Sequence, residues 1–92
     1  MDLSVVIPVR NRPGLVRQCV EGVLACDYPR ERFEVIVVDN GSTDNTAETA
    51  RQAGARVIEE PVANRCLARN RGAKEARASW VAFIDSDCVP EP

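Results

Sequence analysis

Histidine is absent from the 92 residues. That excludes Ser-His-Asp and Cys-His catalysis, and any zinc site with an imidazole ligand, within the chain. A general base drawn from these residues must be a carboxylate. An excess of one charge is missing too: 12 basic and 14 acidic residues leave a net charge of −2. The basic residues are scattered, so there is no electrostatic footprint for nucleic acid. No apolar run approaches the ~20 residues of a membrane span, and no signal-peptide pattern opens the chain. The four cysteines, Cys19, Cys26, Cys66 and Cys88, match no C-x-x-C metal or redox spacing. Cys19 and Cys26 fall on one apolar helix face, where they read as small core hydrophobes of a reduced, cytoplasmic protein. Cys88 differs in lying beside an acidic motif. The phosphate-binding glycine loops are also missing. Neither G-x-G-x-x-G nor G-x-x-x-x-G-K-[ST] occurs, and the first loop reads Pro8-Val9-Arg10-Asn11-Arg12-Pro13-Gly14 instead.

What is present is a strict alternation of strand and helix. Leu3 to Val9 is a near-continuous apolar run, the mark of a strand covered on both faces. Asn11 can cap a following helix that has Pro13 near its start. Leu15, Val16, Cys19, Val20, Val23 and Leu24 recur at helical spacing, and Asp27-Tyr28-Pro29 stops the helix. Phe33 to Val38 is a second buried strand ending at Asp39, followed by the turn Asn40-Gly41-Ser42. Ser42 or Thr43 is the expected cap of a helix from about Asp44 to Ala53, which Gly54 terminates. A short strand from Ala55 to Glu59, a loop at Glu60-Pro61-Val62, a helix from about Asn64 to Arg77 and a strand from Trp80 to Ile84 complete the pattern. It predicts an α/β fold: a Rossmann-like, mostly parallel sheet of about four strands with helices on both faces. One domain is expected over residues 1–92.

In such sheets ligands bind beyond the carboxyl ends of the strands. The unusual polar residues fall at those ends: Pro8 to Asn11, Asp39 to Ser42 and Asp85 to Asp87. Asp85-Ser86-Asp87 places two like charges one residue apart, a conflict that a divalent cation removes while accepting phosphate oxygens on its open positions. Asp39 reads equally as a ribose-binding acid or as an Asx turn into Gly41. Gly72 lies inside a helix at a cost of roughly 1 kcal/mol against Ala, which suggests a close approach by a neighbour. Asn70 shares a face with Leu67 and Ala73 and is expected to be partly buried and hydrogen-bonded. Arg69 and Arg71 could reach phosphates or could be solvated.

Four segments carry a resemblance: Val5-Val6-Ile7-Pro8-Val9-Arg10-Asn11, Val37-Val38-Asp39-Asn40-Gly41-Ser42-Thr43-Asp44, Ala68-Arg69-Asn70-Arg71-Gly72 and Phe83-Ile84-Asp85-Ser86-Asp87. In order and interval the chain resembles family 2 glycosyltransferases of the GT-A fold. The resemblance implies the truncated nucleotide-binding part of an inverting, metal-dependent glycosyltransferase. It implies a nucleotide-sugar donor, with a UDP-sugar the first choice and a GDP- or dTDP-sugar possible. It implies Mn2+ or Mg2+ as cofactor. Pro8, Val9, Asn11, Asp39, Asn40, Arg69 and Asp85 would then face the nucleotide, with Asp87 and Asp85 at the metal. The chain departs from the family at Asn40, where a second Asp is frequent, and at Arg10, where an aromatic is frequent. The family's catalytic base, from a later segment, has no counterpart, so no catalytic residue is expected here. A longer parent could sit on the cytoplasmic face of a membrane. The sheet edge and helix faces left open could drive self-association. Two other readings share part of the logic: a non-catalytic nucleotide-binding module, and a nucleotidyltransferase that releases pyrophosphate.

Overall fold

The computed structural model describes residues 2–25, 29–62 and 64–84. Its elements, in chain order, are β1 (Leu3–Val9), α1 (Pro13–Leu24), a short 3-10 turn (Arg30–Arg32), β2 (Phe33–Asp39), α2 (Thr46–Ala53), β3 (Arg56–Glu59), α3 (Arg65–Glu75) and β4 (Trp80–Phe83). The described strands form one sheet in the order β3-β2-β1-β4, and all three pairings are parallel. The expected α/β architecture is therefore present.

The central strands explain the long apolar runs. Both faces of β1 and β2 are covered, so Val5, Ile7, Val9, Val35 and Val37 join the core shared with α1 and α2. Val6, Ile36 and Val38 face the other way, against Ala68 of α3. Cys19 is fully buried in the first of these cores, as expected of a small hydrophobe. Its expected companion Cys26 lies outside the described residues.

Helix α3 reaches the sheet through a line of small residues. Among its described side chains, Ala68 and Gly72 are the buried positions. A Cβ at Gly72 would collide with Val6 Cγ1 and stand 3.1 Å from Val38 Cγ2, so the glycine is the contact that lets the helix lie on the strands. Asn70 is exposed and Leu67 is 40% exposed, which corrects the expectation that this pair faces inward. Two residues turn a helix by about 200°, so Asn70 stands opposite the Ala68–Gly72 line.

The helix starts also need correcting. Asn11 does not cap α1, because its backbone is left-handed at φ 52°. Arg12 holds the N-cap position with no side-chain bond, and Pro13 follows as the first helical residue. Neither Ser42 nor Thr43 caps α2. Asp44 Oδ1 accepts from the Thr46 backbone N–H and hydroxyl instead. At α3 the cap is Asn64, whose Oδ1 accepts from the N–H groups of Cys66 and Leu67. Gly54 ends α2 as expected, with φ 110° and the paired bonds Gly54 N to Arg51 O and Ala55 N to Ala50 O.

At the amino ends of the strands lies a buried polar cluster. Ser4 Oγ donates to Glu34 Oε2 (2.6 Å), which also accepts from the Arg77 N–H (2.8 Å). Arg56 Nη1 reaches Glu34 Oε1 (3.2 Å) and the Glu75 carbonyl (3.1 Å). The cluster ties the start of β1, β2 and β3 to the end of α3. That leaves the carboxyl ends of the strands as the side where loops are free to build a site.

Candidate functional site

Strand pairing sets the edge on which the site forms. Val9 pairs with Asp39, and Asp39 pairs with Glu59. Two carboxylates therefore end adjacent strands in register. Asp39 was expected from the sequence and Glu59 was not, although an acid ending an apolar strand beside another such strand was the available signal.

Asp39 is buried, at 6% exposure. Its Oδ1 accepts from the Ser42 N–H (3.1 Å), which makes the Asx turn that the local sequence allowed. Its Oδ2 has no hydrogen-bond partner among the described residues and retains some exposure. A carboxylate is an acceptor only, so an accessible oxygen with spare lone pairs is a place for a donor group. Beside it is a depression of about 200 Å³ lined by Asp39, Gly41, Ser42, Glu59 and Pro61. Gly41 has φ +80°, and a Cβ there would lie 3.3 Å from the Pro61 carbonyl. Glycine thus satisfies both the turn and the close approach of the opposite wall.

Hydrogen bonds join the three loops above β1, β2 and β3. The Asn11 N–H donates to Ser42 Oγ (2.9 Å), while Asn11 Oδ1 accepts from the Thr43 N–H (2.8 Å). This reciprocal clasp uses the left-handed Asn11, a conformation that Asn adopts more readily than most residues. Asn40 donates its backbone N–H to the Val9 carbonyl (2.8 Å), and the Glu60 N–H donates to the Asp39 carbonyl (2.9 Å). The Asn40 side-chain amide then donates to the carbonyls of Glu60 (3.1 Å) and Val62 (2.5 Å).

The remaining expected residues have different places. Pro8 and Val9 are buried within β1. Val9 packs in the core under α1, so only its backbone borders the site. Arg69 stands on α3 with its guanidinium carbon 5.8 Å from the centre of the Phe83 ring, at the end of β4 rather than beside Asp39. The β1–β4 ladder runs to the Val6–Phe83 pair, and the Ile84 N–H then donates to the Val6 carbonyl (2.9 Å). The backbone groups of Val6 and Pro8 face β4, and Pro8 has no N–H with which to extend the ladder. Asp85 and Asp87 lie outside the described residues. Among the described residues, no group of three His, Cys, Asp or Glu side chains could hold a metal ion.

A second depression, of about 390 Å³, lies between α1 and α2 and is lined by Arg17, Glu21, Thr49, Gln52 and Ala53. Its charged pair, Arg17 and Glu21, is more than half exposed on both sides. No buried polar group converges on it, in contrast to the depression at Asp39.

Known proteins resemble the chain in sequence and in fold. The family described as glycosyl transferase family 2 matches residues 4–92. Glycosyltransferase AglE of Haloferax volcanii is 38% identical over 96% of this chain and 31% of its own length. The mannosyltransferase PcManGT from Pyrobaculum calidifontis, solved in complex with GDP-Man and Mn2+, superposes with a TM-score of 0.89 at 26% identity, over 98% of this chain and 28% of that one. Residues 1–349 of TarS from S. aureus, solved in complex with UDP, superpose with a TM-score of 0.80 at 32% identity, over 95% of this chain and 28% of that one. The chain spans about a third or less of the length of these relatives.

Proposed function

The chain belongs to glycosyl transferase family 2, and from that premise we propose that it supplies the donor-nucleotide part of a metal-dependent, inverting sugar-transfer site. One observation carries the assignment of the nucleoside end. Asp39 is a buried acceptor with an unpartnered oxygen, at the carboxyl edge of a parallel sheet, beside a depression whose other charged wall residue is Glu59. Two carboxylates repel a phosphate and suit hydroxyl and N–H donors. The ribose hydroxyls and the base edge of a nucleoside present such donors, so the nucleoside rests here and the diphosphate points away from Asp39.

The diphosphate end belongs toward β4. Among the described residues the ladder between β1 and β4 runs to Ile84, and Asp85 is the next residue in the sequence. The carboxylates of Asp85 and Asp87 are the donor set that hard cations take, so these residues would hold Mn2+ or Mg2+, with Asp87 the direct ligand. When bound, the cation neutralises charge on the departing nucleoside diphosphate. Arg69, on the same side, adds positive charge near the end of β4. Displacement at the anomeric carbon would invert it, with the acceptor hydroxyl deprotonated by a carboxylate outside these residues. A UDP-sugar is the preferred donor.

Calorimetric titration with UDP tests this reading, with Mn2+ and with chelator, for the chain and for Asp87→Asn. The expected result is binding that needs Mn2+ and weakens at least about tenfold in the variant, or ~1.4 kcal/mol. Equal affinity with chelator would contradict the metal assignment. Tighter binding of GDP or dTDP would move the base assignment from uracil.

A further inference from the structure

We infer that Asn40 is a positioning residue whose side-chain amide sets the wall of the nucleoside depression. The inference rests on the reading of that depression as the nucleoside site. Asn40 is buried at 7% exposure. Its Nδ2 faces two backbone carbonyls, those of Glu60 and Val62. Only the nitrogen of the amide can donate to both, so this pair of partners fixes the orientation of the side chain. The connection continues into α3. The Val62 carbonyl also accepts from the Asn64 N–H (2.8 Å), and Asn64 is the residue that caps α3. The Val62 N–H in turn donates to Glu60 Oε2 (3.2 Å).

The consequence is geometric. Asp39 and Asn40 are consecutive, yet they do different work. Asp39 presents its carboxylate to the depression, while Asn40 holds the loop that carries Pro61 and follows Glu59. The depression therefore has its width set by an amide behind it. Although the family resemblance would allow an Asp here, both partners of the side chain in this protein are acceptors, so its loop as it stands takes a donor. A carboxylate at position 40 would point its lone pairs at two carbonyl oxygens, and the loop would have to move. Among the described residues, the charged groups that adjoin Asn40 along β2 and the segment after β3 are the acids Asp39, Glu59 and Glu60, while the β1 loop hydrogen-bonded to this turn carries the exposed Arg10 and Arg12. A protonated carboxyl can still donate one bond, and those acids and the burial both favour its protonation.

Hydrogen exchange on the nucleotide-free chain tests this directly, with Asn40→Asp and Asn40→Ala each compared with the unsubstituted chain at pH 8.5 and pH 5.5. The readout is protection of the Glu60, Val62 and Asn64 amides relative to the unsubstituted chain at the same pH. Far-UV circular dichroism checks that each variant is folded. Asn40→Asp is expected to lose about tenfold in protection at pH 8.5 and to recover much of it at pH 5.5. Asn40→Ala should lose it at both. Unchanged protection in Asn40→Asp, or a loss that acid does not reverse, overturns the donor role. UDP affinity of the same proteins should follow the exchange. Affinity unchanged while protection falls would overturn the link to the site. Failure of the unsubstituted chain to bind any nucleoside diphosphate would instead count against the nucleoside reading itself.

Discussion

Gly72 shows how far a single residue can be read from sequence. A glycine in mid-helix is disfavoured, and that alone pointed to a close neighbour; the neighbours are Val6 and Val38 of the central strands. Two effects oppose each other in Gly72→Ala. Helix propensity favours Ala by about 1 kcal/mol. Overpacking against a β-branched side chain on a buried strand costs typically 1–3 kcal/mol or more. The clash should win because Val6 is fully buried and has no free direction in which to move. A denaturant midpoint lowered for Gly72→Ala at unchanged slope is the expected result, and a raised midpoint would show that α3 shifts freely. Asn70 was less legible. Its assignment to the inner face took Leu67 as the guide, but small residues define that face, and the largest apolar side chain of the helix is on the outside.

At the scale of elements, β1 and β2 were legible because apolar runs covered on both faces are a strong signal. The helix starts were not, since Asn11, Ser42 and Thr43 are spent on one another across the loops instead of on their own helices. The cluster around Glu34 was also invisible, because it depends on the Ser4–Glu34 register and on a loop 43 residues further along. Burial alone would raise the Glu34 carboxyl above its usual 4.5, but hydrogen bonds from Ser4, the Arg77 N–H and Arg56, with the charge of Arg56, outweigh it and hold the group lower. The folded protein thus takes up this proton less readily than the unfolded chain. The stabilisation is present above the unfolded value near 4.5 and is lost as pH falls through it toward the folded value. Replacing Glu34 by Gln should cost about 1–3 kcal/mol at pH 7. It should also flatten the fall of stability between pH 6 and pH 3, as measured by denaturant midpoints. Curves that stay parallel for the two proteins would remove Glu34 from the acid response.

For the whole molecule, alternation of strand and helix was enough to predict a parallel sheet and hence the edge on which loops after β1 and β2 converge. Their joining by Asn11, Ser42, Thr43 and Asn40 depends on tertiary hydrogen bonds between positions 20 to 32 residues apart, which no local pattern contains. The part played by Glu59 depends in the same way on β3 pairing in register with β2. A nucleoside at Asp39, against the wall held by Asn40, is what the proposed function most depends on. The most direct test is amide chemical-shift mapping of the labelled chain titrated with UDP and Mg2+. Shifts are expected to concentrate at Asn11, Asp39 to Ser42 and Glu59 to Val62, with little change at Arg17, Glu21, Thr49 and Gln52. Shifts centred on that second group, between α1 and α2, would contradict it.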